Sequence, residues 1–344
     1  MPREFMLVAP RRIEFRDYKE PPLSAGEVRI RSIVSGVKHG TEMALYLGST
    51  PFLTQRFDLE CRLFLPDESA GFYPRLLGSW LTGEVIEVGE GVTRFRVGDL
   101  VHGGLPHRPT NVARAEQLYP LAPNMNPETA LFTDPALFAL NAVHDARLKL
   151  GDDVAVFGLG AIGLLAAQMV RLNGARVVVG VDLIASRREL ARRYGVDHTL
   201  DPARGDVGLE IKRLTGNKGA DAALEISGSY AALQQAIRCV QVGGLVVAAS
   251  YYKGNASALS LGAEWHHNRP TLISSMPVWG CPHRLHPLWD LDRLERTAIG
   301  VLERGEVATE GMVTQRIPYS EAPKAYDLIA RHPDETIKVV FTYQ

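Results

Sequence analysis

The second half of the chain alternates short apolar runs with segments of helical period. Five β-branched or apolar runs follow one another: DDVAVF (152–157), RVVVGV (176–181), ADAALEI (220–226), GGLVVAA (243–249) and TLISSM (271–276). A further short strand is expected near residues 198–200. The intervals, such as AIGLLAAQMVRLNG and SYAALQQAIRCV, carry apolar residues at helical spacing. This alternation predicts a doubly wound α/β domain with a parallel sheet covered on both faces.

Residues 1 to about 136 follow a different pattern. Short strands such as EVRIRSIV and GEVIEVG are separated by Gly and Pro turns, without long helices, which predicts an irregular β-rich domain. From residue 278 onward the chain has two amphipathic segments and ends on the strand IKVVFTY, which we expect to return to that domain. The predicted division is therefore 1–136 with 278–344 for the β-rich domain and 137–277 for the parallel sheet.

A glycine-rich turn follows the first strand of the predicted sheet. The run Gly158-Leu159-Gly160-Ala161-Ile162-Gly163 matches GxGxxG and opens an apolar helix. Gly158 permits the tight turn, Gly160 lets a pyrophosphate approach the backbone, and Gly163 lets helix and strand pack closely. Asp182 follows Gly163 by nineteen residues, at the end of the next strand, where a carboxylate accepts both ribose hydroxyls and repels a 2′-phosphate. The combination predicts a Rossmann domain that binds NAD rather than NADP.

Three more side chains are candidates for the cofactor site. Arg187, five residues past Asp182, is placed to reach the adenosine end, or it is a solvated arginine on a helix face. Ser227 and Ser275 come at the ends of predicted strands. Because ligands of such sheets bind at the carboxyl ends of the strands, we expect both serines near the ribose and nicotinamide.

Composition narrows the class of protein. The 344 residues suffice for two domains, and 46% apolar with 22% charged residues is an ordinary globular balance. A formal net charge of −1 without a basic stripe argues against a nucleic-acid partner. The sequence shows no signal peptide and no apolar run long enough for a membrane span, and its three cysteines form no CxxC pair. We therefore expect a cytoplasmic protein with reduced thiols and no membrane partner.

At this point the chain resembles a known superfamily. The resemblance rests on SGVKHGTE (35–42), GEVIEVGEGVTRFRVGDLV (83–101), GLGAIG (158–163), GADAALEISG (219–228) and TIKVVF (336–341). These runs are similar to those of the medium-chain dehydrogenase/reductase superfamily, over essentially the whole length. The resemblance implies a GroES-like catalytic domain built from both ends of the chain, and it implies that Lys338 touches the cofactor pyrophosphate.

A narrower resemblance concerns the substrate. The segments KHGTE, DPALFALNAVHDA, GVDLIASR and DVGLEIKRLTGNKGAD look most like those of the bacterial D-guloside 3-dehydrogenases and related sugar or cyclitol dehydrogenases. This likeness implies oxidation of a secondary alcohol on a polar ring. The expected partner is therefore a small polar cyclic alcohol or sugar.

The chain departs from the superfamily at the zinc ligands. Zinc-dependent members have a cysteine in SGVCxSD, a histidine in GHE, and a cysteine or glutamate before the first helix into the cofactor domain. Matching those motifs places Lys38, Ser79 and Asp134 at the three positions. Neither lysine nor serine is an ordinary zinc ligand, and one carboxylate cannot supply three protein ligands. We therefore predict that catalytic zinc is absent.

Loss of zinc requires another positive group near the reacting oxygen, because the ion acidifies the alcohol and polarises the carbonyl. We expect Lys38 to be that group, with His39 or Asp134 relaying the proton. Pairing with Asp134 would make Lys38 an electrostatic stabiliser rather than a base. Thr41 and Glu42 are candidates for orienting substrate hydroxyls. Each of these residues also has a purely structural interpretation, in a turn, at a helix start or as a helix cap.

A relocated metal site is conceivable where histidines and a cysteine cluster late in the sequence. These are Cys281, His283 and His286 in CPHRLH, with His266 and His267 in WHHN. Their expected location is a surface loop after the last strand of the sheet, so we predict no metal there.

The sequence leaves two other functions open, and it also predicts an oligomeric state. A zinc-free reductase of quinones, enones or a tetrapyrrole side chain would use the same hydride geometry without Lys38. A sensor that binds NAD without catalysis would tolerate loss of every acid/base group. The apolar strand TLISSM at the expected sheet edge predicts pairing with a second copy, and hence a homodimer.

Overall fold

A computed structural model describes residues 2–67 and 72–343. The strands, in chain order, are β1 Arg3–Ala9, β2 Arg12–Asp17, β3 Glu27–Gly36, β4 Gln55–Asp58, β5 Leu63–Pro66, β6 Trp80–Val88, β7 Leu100–Gly103, β8 Thr110–Arg114, β9 Tyr119–Pro120, β10 Asp153–Phe157, β11 Val177–Val181, β12 His198–Leu200, β13 Ala220–Glu225, β14 Val240–Ala248, β15 Thr271–Ser274, β16 Val313–Pro318 and β17 Lys338–Thr342. The α-helices are α1 Thr41–Tyr46, α2 Pro127–Ala130, α3 Thr133–Asp145, α4 Ala161–Leu172, α5 Ala185–Arg193, α6 Val207–Leu214, α7 Tyr230–Cys239, α8 His266–Asn268, α9 Leu291–Glu303 and α10 Ala322–Arg331.

The chain divides into two compact units. Unit 1 comprises Met1–Asp134 and Thr309–Gln344, and unit 2 comprises Pro135–Ala308. The prediction returned the chain to the β-rich domain at residue 278, whereas the structure keeps residues 278–308 in unit 2. The reason is α9, which Asp290 caps and whose apolar face is buried. Beyond α9, the Ala308 N–H donates to the Gln168 side chain on α4 over 2.7 Å.

Unit 1 is built on a mixed sheet in the order β16-β17-β3-β6-β7-β9, with β8 also paired to β3. β3 and β6 are antiparallel, and alternate side chains along both point inward. One core cluster lies under them, with Val28, Ile30, Leu81 and Val85 fully buried. A second cluster joins β1 and β17 to α1 and α10 through closely packed aromatic rings. The predicted β-rich domain is confirmed.

Unit 2 contains the predicted parallel sheet. Its strand order is β12-β11-β10-β13-β14-β15, and every neighbouring pair is parallel. All five residues of β10 are buried, as expected for a central strand covered on both faces. The order reverses between β10 and β13, which makes their carboxyl ends the expected ligand site of such a sheet. β15 lies at the edge, as the sequence predicted.

No helix among residues 2–67 and 72–343 is both long and apolar enough to cross a membrane. Within the same residues all three cysteines are free thiols: Cys239 is buried, while Cys61 and Cys281 are exposed.

The close packing at Gly163 yields a first prediction. A Cβ at this position would lie 1.8 Å from the Gly158 carbonyl oxygen. We expect Gly163→Ala to force the glycine turn away from α4 and to lower the free energy of unfolding by about 3 kcal/mol, the upper part of the range for overpacking. Urea denaturation measures this change. Gly205→Ala is the matched control, since a Cβ there meets no atom within 4 Å; equal loss in both variants would contradict the prediction.

Candidate functional site

An ion pair joins two of the three residues that the family resemblance matched to zinc-ligand positions. The Lys38 ammonium donates to Asp134 Oδ1 over 2.7 Å, and the two side chains are 24% and 17% exposed. Lys38 follows the end of β3, and Asp134 lies in the first turn of α3. The structure thus brings together the two residues that the sequence assigned to charge stabilisation and proton relay, on the same unit and partly open to solvent.

The backbone beside this ion pair is held by a buried carboxylate. Glu42 in α1 is 2% exposed, and its Oε1 accepts from the Lys38 N–H over 2.7 Å. Its Oε2 accepts from the Tyr326 hydroxyl and lies 3.2 Å from His107 Nε2. Ser35 Oγ in turn lies 2.6 Å from His107 Nδ1. The network ties the Lys38 backbone to α10 and to the loop before β8.

Glu42 therefore has a structural role inside unit 1. Burial raises the pKa of its carboxyl, but the charge of His107 and hydrogen bonds from His107, Tyr326 and the Lys38 N–H outweigh burial and hold that pKa below its ordinary value. A carboxylate engaged in this way is not placed to orient a substrate hydroxyl. The expectation that Glu42 contacts substrate does not match its placement, because α1 turns this side chain inward.

The other unit 1 candidates differ in exposure: His39 and Thr41 lie next to Lys38 in the chain, whereas Ser79 lies 41 residues further on. His39 Nε2 accepts from the Val339 N–H over 3.3 Å, so this ring nitrogen is engaged with β17. Thr41 is exposed at the start of α1, and Ser79 is partly exposed just before β6. The hydroxyls of these two residues are not ordinary metal ligands. The Thr41 side chain is accessible to a bound substrate.

A second lysine reaches toward the same two segments. Lys338, the first residue of β17, is 2% exposed. A Cβ on Gly36 would lie 2.5 Å from Lys338 Cε and 2.9 Å from its Nζ, so the lysine runs directly across the end of β3. Its Nζ also lies 5.9 Å from the centre of the Phe132 ring. Burial, helped by the charge of Lys38, lowers the pKa of Lys338 to about 8, although the charges of Asp134 and Glu42 raise it.

The donor set does not suit zinc. Across residues 2–67 and 72–343, no three His, Cys, Asp or Glu side chains come together as a metal site. The Lys38 ammonium is bonded to Asp134, and an ammonium cannot coordinate a cation. In the late histidine segment Cys281 is exposed, while His283 Nε2 faces His144 Nδ1 at 3.2 Å. Burial lowers the pKa of His144 to about 4.

In unit 2 the glycine turn has the geometry of a dinucleotide cradle. Gly158 has φ of +89°, a left-handed conformation that only glycine adopts without strain, and Gly160 leads into α4. A Cβ on Gly160 would meet only the Arg187 guanidinium, at 4.0 Å, so the space before the helix N-terminus is open. A Cβ on Gly158 would lie 2.8 Å from Ser227. These residues fit a bound pyrophosphate at the N-terminus of α4.

Asp182 closes the other side of this turn. Its Oδ2 accepts from the Leu159 N–H over 2.7 Å and its Oδ1 accepts from the Ile184 N–H over 2.8 Å. Arg187 Nη1 lies 3.8 Å from Asp182 Oδ2. Each carboxylate oxygen retains a lone pair for a ribose hydroxyl. The remaining residues of the predicted run, Ala161 and Ile162, form the first turn of α4.

The two serines lie in different surroundings. Ser227 donates to the buried Glu225, which also accepts from the Gly228 N–H and the Tyr252 hydroxyl. Burial raises the pKa of Glu225 above its ordinary value in spite of these hydrogen bonds. Ser275 is 7% exposed, and Asn141 Nδ2 donates to its Oγ over 2.6 Å. Thus Ser227 borders the glycine turn, while Ser275 is held by α3.

Comparison with known proteins decides the family. A family profile described as zinc-binding dehydrogenase matches residues 161–291. D-guloside 3-dehydrogenase of Escherichia coli K12 is 36% identical over 99% of this chain and 100% of that protein. The chain belongs to the medium-chain dehydrogenase/reductase family. Two solved structures share its fold. One is described as a zinc-binding dehydrogenase from Sinorhizobium meliloti 1021 bound to NADP (21% identical, 99% of this chain and 98% of that chain, TM-score 0.79). The other is described as a short chain alcohol dehydrogenase from Escherichia coli CFT073 complexed with NADH (18% identical, 99% of both chains, TM-score 0.78).

Sequence reasoning missed three residues of this medium-chain dehydrogenase that hold the candidate sites in place. His107 and Tyr326 approach Glu42 from positions 65 and 284 residues away along the chain. Glu225 lies within GADAALEISG, which indicated a strand end and the family resemblance, and its hydrogen bonds to Ser227 and Tyr252 were not anticipated. A buried acid needs hydrogen-bond partners, so the position of Glu225 at the end of an apolar run already indicated a hydrogen-bonded carboxylate. Nothing in the sequence around His107 or Tyr326 indicated a contact with Glu42.

The network around Glu42 yields a second prediction. Tyr326→Phe removes one donor to a buried carboxylate, and we expect the free energy of unfolding at pH 7 to fall by about 2 kcal/mol. Because the folded pKa of Glu42 is depressed, this stabilisation is present above its unfolded pKa and is lost as pH falls through its folded pKa. The deficit of the variant should therefore shrink when urea denaturation is repeated at successively lower pH below about 4.5.

Tyr46→Phe is the control for that experiment. The Tyr46 ring packs on Tyr326 with centroids 5.4 Å apart, and its hydroxyl makes no hydrogen bond to another described residue. A loss in Tyr326→Phe that equals the control, or that does not depend on pH, would show that the hydroxyl does not stabilise an ionised Glu42.

Proposed function

We propose that this medium-chain dehydrogenase oxidises a secondary alcohol of a sugar, glycoside or cyclitol with NAD, and that Lys38 replaces catalytic zinc. Support for the substrate class comes from the 36% identity to D-guloside 3-dehydrogenase over the full chain. The ion pair of Lys38 and Asp134 at two former ligand positions is the observation that carries the proposal.

The charge of Lys38 is large enough to matter. An ammonium about 4 Å from a developing alkoxide contributes roughly 4 kcal/mol at an effective dielectric near 20. That energy corresponds to about three powers of ten in rate. Asp134 fixes the direction of the ammonium through its 2.7 Å hydrogen bond, and Glu42 fixes the Lys38 backbone. The group is thus held in place before substrate binds, which is what electrostatic stabilisation of a transition state requires.

The alcohol proton needs an acceptor on the same unit. Asp134 is the better of the two predicted relays, because it lies next to the ammonium and is 17% exposed. His39 Nε2 is engaged with the Val339 N–H, which leaves Nδ1 as its proton-bearing nitrogen in the neutral ring. Thr41 remains a candidate for binding a substrate hydroxyl, since it is exposed at the start of α1.

Unit 2 holds the dinucleotide in this proposal. Gly158, Gly160 and Gly163 leave room for the pyrophosphate at the start of α4, and Asp182 accepts ribose hydroxyls. A bound nicotinamide supplies the hydride acceptor. Since family folds accommodate both NADP and NADH, the choice of NAD rests on the Asp182 carboxylate, which repels a 2′-phosphate. Arg187, close to that carboxylate, binds the adenosine end, and Ser227 and Ser275 lie toward the ribose and nicotinamide.

We further propose that the enzyme is a cytoplasmic homodimer. β15 offers an unpaired edge of the unit 2 sheet, which invites pairing with the same strand of a second copy. The free thiols of the described residues fit a reducing compartment.

The proposal is tested by following reduced-nicotinamide absorbance with NAD and a panel of pyranosides and cyclitols. We expect turnover with at least one polar cyclic alcohol and a loss of about 1,000-fold in kcat for Lys38→Met, following from the electrostatic energy above. The double variant Lys38→Met with Asp134→Asn also removes the carboxylate charge that Lys38→Met alone leaves without its ion-pair partner. We expect the double variant to be equally inactive.

Lys149→Met, which removes an exposed lysine of unit 2, is the control. Urea denaturation and NADH fluorescence establish that each variant is folded and binds the dinucleotide. Turnover by Lys38→Met at the rate of the control, or tight dinucleotide binding without oxidation of any alcohol, contradicts the proposal.

A further inference from the structure

A buried asparagine on α3 hydrogen-bonds two residues of unit 2 that lie far apart in the chain. Asn141 is 3% exposed, and its Nδ2 donates to Asp145 Oδ2 over 3.1 Å and to Ser275 Oγ over 2.6 Å. Asp145 is the last residue of α3, whereas Ser275 directly follows the edge strand β15. The asparagine therefore connects the C-terminal end of α3 to the carboxyl end of β15.

An arginine closes this network into a ring. Arg284 Nε lies 3.0 Å from Asp145 Oδ1, and Arg284 Nη2 donates to the Ser274 carbonyl oxygen over 2.5 Å. Asp145 is 4% exposed, and its place in the last turn of α3 is one where the helix dipole disfavours a negative charge. Because burial and the dipole both act against this carboxylate, its two oxygens need the donors that Arg284 and Asn141 supply.

The Asp145 carboxylate fixes the direction of the hydrogen bonds that lead to Ser275. An ionised carboxylate only accepts, so the Asn141 side chain must turn its NH2 group toward Asp145. The second N–H of that group then donates to Ser275 Oγ, which leaves the Ser275 hydroxyl to donate its own proton elsewhere. No residue within 2–67 and 72–343 accepts that proton, although Ser275 is only 7% exposed. An enclosed donor of this kind calls for an acceptor that the chain itself does not supply.

The place of Ser275 in the sheet indicates where that acceptor comes from. In the proposed function Asp182, directly after β11, binds the adenosine half of the dinucleotide, and the glycine turn after β10 holds the pyrophosphate. The dinucleotide crosses the carboxyl ends of the strands where their order reverses between β10 and β13, so its nicotinamide half extends toward β14 and β15. The hydrogen-bond acceptor of the nicotinamide group is its carboxamide oxygen.

We infer that Ser275 donates its hydroxyl proton to the carboxamide oxygen of a bound nicotinamide, and that Asn141 is the positioning residue that directs this proton. The inference rests on the proposed function and deepens it, since it assigns a contact for the nicotinamide group. Without the N–H of Asn141, the Ser275 hydroxyl is free to rotate and to accept instead of donate. An orientation that is fixed before the ligand binds lowers the entropic cost of binding.

A comparison of two ligands separates this contact from a structural role. ADP-ribose has the adenosine, the pyrophosphate and the second ribose of NADH but lacks the nicotinamide, and calorimetry measures the Kd of each ligand. We expect Ser275→Ala to raise the Kd for NADH about 10-fold, as loss of one enclosed hydrogen bond does, and to change the Kd for ADP-ribose by less than about 2-fold. Ser274→Ala is the matched control, because this exposed neighbour keeps its backbone carbonyl, and both Kd values should stay at wild type.

Two further measurements test the positioning role and the acceptor. We expect Asn141→Ala to raise the Kd for NADH about 3- to 10-fold. The double variant with Ser275→Ala should bind NADH no more weakly than Ser275→Ala alone, because Asn141 acts through the serine. The thionicotinamide analogue of NADH has sulfur, a poorer acceptor, in place of the carboxamide oxygen. It should bind the wild-type protein less tightly than NADH does, and this difference should vanish in Ser275→Ala. Urea denaturation establishes that each variant is folded, and if Asn141→Ala is not, Ser275→Ala and the analogue decide.

The possible outcomes keep the inference separable from the proposed function. An unchanged Kd for NADH in Ser275→Ala, or equal weakening of NADH and ADP-ribose, overturns the inference. Additive losses in the double variant show that Asn141 does not act through Ser275. If the wild-type protein binds neither ligand, the proposed dinucleotide site fails and the inference fails with it. If it binds both ligands but oxidises no alcohol, the proposed oxidation fails, and the Kd values still decide the contact.

Discussion

One ion pair governs the unit 1 site: the Lys38 ammonium lies 2.7 Å from the Asp134 carboxylate. In zinc-dependent relatives a divalent ion would occupy this place, and its charge would be fixed by the ligands around it. A lysine side chain is flexible and has to be held. The carboxylate at the start of α3 holds the ammonium in place. The same carboxylate also weakens the electrostatic attraction between the ammonium and the substrate oxygen.

Buried polar groups of unit 1 surround this ion pair and hold it in place. Glu42 anchors the Lys38 backbone, and it is ionised in the interior only because His107, Tyr326 and a backbone N–H compensate its burial. Lys338 is buried at some cost beside Gly36 and Phe132. A network in which each polar group is partnered is rigid, and rigidity is what an electrostatic site requires.

The sequence predicted what short-range rules control. The parallel strands and the glycine turn with Asp182 follow from period, spacing and motif. The meeting of Lys38 with Asp134, 96 residues apart, was expected only because the superfamily resemblance matched both residues to ligands of one metal. Long-range partners could not be predicted in this way, because nothing in the local sequence links His107 or Tyr326 to Glu42. The expected return to the β-rich domain at residue 278 came too early, because the amphipathic pattern of α9 does not show which unit buries it, and packing keeps the chain in unit 2 up to Ala308.

In the proposed mechanism this medium-chain dehydrogenase works without zinc, and Lys38 supplies the positive charge in its place. Elemental analysis by mass spectrometry, on untagged protein that has never met a metal-affinity column, tests it most directly. We expect far less than one zinc per chain in a preparation with full turnover, and no gain in rate on adding zinc. One tightly bound zinc per chain that is lost when Asp134 is changed to Asn, together with the activity, would contradict it.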